Sequence, residues 1–251
     1  MFLALEPRKL IETVERLHRR VGERFPESGL SRICGELAGV AKLADTRVLR
    51  IERPHLGLRF AIGASAVLGL ALLFYLFSII DFRNESDNIF GVIQGIDAAF
   101  NIVVLLGALL IFLLKLEEAG KRRFALKDLH ELRSIAHVID MHQLTKDPGM
   151  TNHVGGSTPS SPKRTLSPFE LSRYLDYCTE MLSLTGKIAA LYAQGTRDAT
   201  VLATANDLEQ LTANLSEKIW QKLAIIQQQR IEHTLLAAAR RDIATVAPTG
   251  G

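Results

Sequence analysis

The sequence predicts an all-α fold: a two-span transmembrane helical hairpin with N-terminal and C-terminal cytoplasmic helices, the C-terminal part a long, coiled-coil-like helical hairpin. Three observations carry that expectation. Two apolar runs, residues 60–80 and 89–114, stand on either side of a short polar stretch at 81–88. Outside them, apolar residues recur at spacings of three and four, the repeat of a one-sided helix. Residues 198–246 hold neither Gly nor Pro, so nothing local interrupts a helix there.

The first apolar run, about 21 residues, rises about 31 Å as a helix and matches a hydrocarbon core of roughly 30 Å. The second could reach about 39 Å, so it tilts or leaves its first turn among the headgroups. Apolar side chains make up 47% of the chain, and they are concentrated in these runs. Cations crowd beside them: Lys42, Arg47, Arg50, Arg53 and Arg59 before the first, and Lys115, Lys121, Arg122, Arg123, Lys127 and Arg133 after the second. The intervening loop has only Arg83 against Asp81, Glu85 and Asp87. The positive-inside rule then places both termini in the cytoplasm and the loop outside. The 1–5 stretch is too short and lacks a basic leader, so no cleavable signal peptide is expected, and the layout suits a bacterial inner membrane. Cys34 and Cys178 both fall on the reducing side, where small buried apolar roles are expected rather than a disulfide. A net charge of +3, evenly mixed, gives no footprint for nucleic acid.

Taken in order, residues 1–56 form N-terminal cytoplasmic amphipathic helices. Leu10, Val14, Leu17, Val21 and Phe25 mark one face of the first; Glu12, Glu15 and Glu23 dilute its basic side, which favours docking on other helices over lipid. After the break at 26–29, Leu30, Ile33, Leu37, Val40 and Leu43 mark a second helix. Residues 57–116 are the transmembrane hairpin. Gly57, Ala61, Ser65 and Gly69 give its first helix a narrow small-residue face, and Gly91, Gly95 and Ala99 repeat the device on the second, where helix backbones can approach closely.

Within that second span, Gln94, Asp97 and Asn101 form a polar stripe on one helical face. An acid inside a membrane is a functional candidate because burying its charge in lipid is expensive. Insertion costs roughly 3 kcal/mol for Asp near the helix centre, while each following aliphatic residue returns about 0.3 to 0.6, so the helix inserts without the acid needing a task. Asp97 falls only about 8 to 12 Å inside the outer end, so the stripe is an interhelical contact before it is a continuous channel.

Residues 117–147 read as a cytoplasmic helix ending at Pro148 and Gly149, and 148–167 as a flexible linker rich in Gly, Ser and Pro. His137 and Asp140 are weak metal candidates; His130 is two turns away and His142 points elsewhere, so no metal and no cofactor is expected. Residues 168–246 form the cytoplasmic helical hairpin, opening with Ser167, Pro168 and Glu170 in the order of a capping box. Gly195 is a natural C′ residue for its first helix. Trp220 is expected in the core or an interface, and residues 247–251 form a disordered tail. The short helix covers only half of the long one, leaving Ile225, Ile226, Ile231, Leu235 and Leu236 to meet another surface.

No P-loop, HExxH, GxSxG, GxGxxG or paired CxxC is present, so no enzyme is expected. In layout alone, without a shared motif, a two-span hairpin followed by cytoplasmic helices resembles the small effector and pore-forming modules of bacterial conflict systems. The expectation is an integral membrane protein anchoring a cytoplasmic helical interaction or oligomerisation module. Its partners are the lipid bilayer and, through residues 198–246, a second copy or a cytoplasmic protein. The alternative is a subunit of a small oligomeric pore lined by the polar stripe.

Overall fold

The computed structural model describes residues 4–52, 56–79, 89–146, 159 and 166–246. They form six helices: α1 (Pro7–Arg24), α2 (Gly29–Glu52), α3 (Leu56–Ile79), α4 (Ile89–Leu144), α5 (Pro168–Gln194) and α6 (Ala199–Val246). No strand occurs among the described residues. The loop expected at 81–88, most of the expected linker at 148–167 and the expected tail at 247–251 lie outside them.

Helix ends follow their local signals. Pro7 opens α1 at a position where a missing N–H costs nothing. The turn to α2 puts Glu27 at φ 57, and the Ser28 hydroxyl accepts from the Ser31 N–H at 3.1 Å. At α5 the capping box closes in both directions: Glu170 N–H donates to Ser167 Oγ at 3.3 Å and Ser167 N–H donates to Glu170 Oε2 at 2.8 Å. Gly195 is the C-cap at φ −82, ψ −1, so the left-handed freedom expected of it is unused. Asp198 Oδ1 accepts from Thr200 and Val201 N–H and starts α6.

The chain divides into two compact units, one of residues 1–48 with 127–251 and one of residues 49–126. The first has a continuous apolar core. Leu10, Val14, Leu17 and Val21 of α1 are buried, and α1 packs on α5. Leu30, Cys34, Leu37 and Ala44 of α2 join Leu129, Leu132 and Ile139 of α4 in this interior, whereas Leu43 is exposed. Helices α5 and α6 lie against each other, closely enough that a side-chain carbon at Gly186 would collide with the Thr212 hydroxyl at 2.8 Å. Phe25 packs edge-on to Tyr174 and Tyr177 with centroids 5.4 and 6.1 Å away.

The second unit is built differently. Stretches Leu56–Tyr75 and Ile93–Leu144, in α3 and α4, are long and apolar enough to cross a membrane. Large side chains such as Phe60, Leu68, Phe74, Phe100 and Leu105 are exposed along them. Helix α4 does not stop where its composition changes. It continues past Lys115, where the exposed pair Lys115–Glu118 at 3.2 Å and the largely buried pair Lys121–Glu117 at 3.1 Å link successive turns.

Candidate functional site

The polar stripe of α4 is an exposed feature. Gln94, Asp97 and Asn101 are all exposed, and Asn101 Nδ2 donates to Asp97 Oδ2 at 3.2 Å, one turn away. That bond satisfies part of the carboxylate within its own helix. The small-residue faces are used unevenly. Gly69 lies directly against the Leu106 side chain, so a larger residue there would force Leu106 to move, whereas Gly57 faces open space. Ser65 Oγ donates to the Ala61 carbonyl at 2.8 Å. Gly91 is exposed, and Gly95 and Ala99 are half-buried.

The weak metal candidates lie one turn apart on α4 in different surroundings. His137 is exposed, and Asp140 Oδ1 accepts from Gln143 Nε2 at 2.7 Å. Among the described residues no three His, Cys, Asp or Glu side chains converge as ligands would. Cys34 and Cys178 are free and buried, and burial pushes both thiols up to about 12. A thiol in that state is a poor nucleophile and a poor ligand at neutral pH.

Other polar chemistry lies inside the first unit. Asp128 of α4, 2% exposed, accepts from Arg47 Nη1 of α2 at 2.7 Å and from Tyr192 Oη of α5 at 3.1 Å. Burial raises its carboxyl above the usual carboxylate range, while Arg47 and the Tyr192 hydroxyl pull it down. Three helices therefore meet on one buried acid. At the end of α4, Lys222 Nζ of α6 donates to Gln143 Oε1 at 2.6 Å and to its carbonyl at 3.1 Å. Arg20 of α1 holds Glu180 of α5 through two bonds of 2.8 and 3.2 Å. These contacts fasten helices together and leave no ionised pair aimed into a cleft, so they are structural in kind.

No family model, curated protein or solved structure matches the chain. Function rests on the residues alone.

A groove of about 870 Å³ lies on the joined surface of α5 and α6. Its walls carry Gly186 and Ala190 from α5 and Ala213 and Ser216 from α6, with Trp220 at one end. Trp220 is 61% exposed, so it is not a core residue, contrary to one of the two places the sequence suggested for it. Farther along α6, Ile226 is buried but Ile225, Ile231, Leu235 and Leu236 are exposed. Sequence reasoning found the uncovered apolar half of α6 by comparing helix lengths. It missed Asp128, because the Lys127-Asp128 pair reads as an ordinary solvated helix surface until α2 and α5 are laid beside it.

Proposed function

We propose that the chain is an integral membrane protein in which α3 and the first part of α4 anchor a cytoplasmic helical module, and that this module binds a partner through α6. One observation carries the reading: the large apolar side chains of α3 and the first part of α4 are exposed, while the other unit has its own buried core. Exposed apolar surface on that scale needs a nonaqueous cover, and a helix with all its backbone bonds made internally suits lipid. The two helices form a transmembrane hairpin, and the charge bias beside them keeps both termini in the cytoplasm of a plasma or bacterial inner membrane. Helices α5 and α6 form the cytoplasmic helical hairpin, whose uncovered apolar half is the binding element. Alkaline carbonate treatment of membranes from expressing cells tests the anchor: the protein stays in the pellet, and release into the supernatant would sink the reading.

The stripe supports a second use of the same hairpin, as part of an ion path in an oligomer. An exposed acid whose bond to Asn101 takes up only part of its accepting capacity favours a polar contact outside its own helix. Proteoliposomes containing the wild type and Asp97→Asn separate the two uses. A path through the stripe gives flux that the substitution alters; equal or absent flux in both leaves the anchor alone.

A further inference from the structure

We infer that the groove between α5 and α6 is the seat of the chain's own N-terminal segment, residues 1–5, laid along it in extended form with Leu3 and Leu5 turned inward. This occupant belongs to the first half of α6 and is independent of what the second half binds. Leu5 already lines the groove, beside Gly186, Ala190 and Ala213. Its neighbours set the conformation. Glu6 is extended at φ −90, ψ 113, the region to which a following proline confines a residue. Burial alternates through exposed Ala4, half-buried Leu5 and exposed Glu6, the two-residue repeat of an extended chain covered on one side. Continued backwards, that repeat turns Leu3 to the side of Leu5 and Phe2 to the side of Ala4.

Direction and length agree with this path. Helix α1 runs antiparallel to α5, because Arg20 holds Glu180 and the later residue Arg24 lies over the ring of the earlier residue Phe169. About 20 Å of helix separates Arg20 from Pro7, so α1 begins level with the C-terminal end of α5, and Leu5 enters the groove at its Ala190 end. From Ala190 to Thr179 the α5 wall is about 16 Å long, and an extended chain from Leu5 back to Met1 spans about 13 Å. Leu3 then falls about 7 Å inside, level with Gly186, where the two helices come too close for a side-chain carbon. The lining suits a strand. Gly186 and Thr212 make a small buried floor for apolar side chains, and Lys187, Glu209 and Glu217 stand exposed along the rim. An extended backbone brings unpaired N–H and C=O groups that such a rim can take, whereas a helix has already made those bonds internally.

The test labels single cysteines with a maleimide in the full chain in detergent, where the native cysteines are buried and give a silent background. Leu3→Cys should react on the order of tenfold more slowly than Ala4→Cys, and the two should react alike in denaturant. Ala213 is exposed on the groove wall, so Ala213→Trp fills the groove without entering the core and should bring Leu3→Cys up to the rate of Ala4→Cys. Mild oxidation fixes the place: Leu3→Cys with Ala213→Cys should close a disulfide within one chain, and Leu3→Cys with Asn214→Cys, about 100° farther round α6, should not. Equal labelling of Leu3→Cys and Ala4→Cys, protection that survives Ala213→Trp, or crosslinking that does not distinguish the two α6 positions would overturn the inference. A covalent dimer from the first pair would overturn it too, since the segment would then lie in the groove of another copy.

Discussion

Asp128 shows how one side chain can set the tolerance of a helix junction. Its two oxygens are divided between Arg47 and Tyr192, and Arg47 also reaches Glu131, at 3.5 Å. Tyr192→Phe keeps the ring and removes the donor, which should cost about 1 to 2 kcal/mol. Asp128→Ala strands Arg47 as well and should cost about 3 kcal/mol, toward the lower end for a buried pair because the guanidinium keeps some solvent. Thermal unfolding of the two variants in detergent checks the order. His142 supplies a pH dependence. It is half-buried against Gly29, and burial, with Arg32 and Lys146 nearby, lowers its pKa below 6.5. The folded protein then binds fewer protons than the unfolded chain in this range, so stability from this group is present above pH 6.5 and is lost as pH falls through the lower folded value. Melting temperature should decline as pH falls below 6.5, and His142→Gln should flatten that decline. The burial of both cysteines could be read from residue type, but the roles of Asp128 and His142 could not, because each depends on helices remote in sequence.

Single elements were more legible than their neighbours in space. The capping box at Ser167 was visible because all its parts lie within four positions of one another. Ser167→Ala should therefore cost about 1 kcal/mol, read as a lower unfolding midpoint, with little change in helix content elsewhere. The start of α6 and its uninterrupted length followed from Asp198 and from the absence of breakers. Where local signals were incomplete, the outcome differed. Gly195 permits a left-handed turn, but the connection to α6 closes without one. Leu43 fits the apolar repeat of α2, yet the burial on that helix shifts to Ala41, Ala44 and Val48, whose smaller side chains face the interior.

At the scale of the molecule, the first unit joins the two ends of the chain. Hydrophobic periodicity identified its helices without saying which of them share a core. A fragment of residues 127–251 lacks the apolar faces of α1 and α2 and should be protease-sensitive, and supplying residues 1–48 in trans should restore resistance. If the fragment alone resists digestion to the same extent, the N-terminal helices are dispensable to that core. The same arrangement imposes an order on biosynthesis. Helix α1 leaves the ribosome well before α5, the helix it packs on, which begins only at Pro168. At roughly 5 to 20 residues per second, the face of Leu10, Val14 and Leu17 waits on the order of ten seconds, through the synthesis of α3 and α4, before it can close. During that interval the apolar face of α1 should be open to chaperones, and a translational pause after α4 would lengthen its exposure.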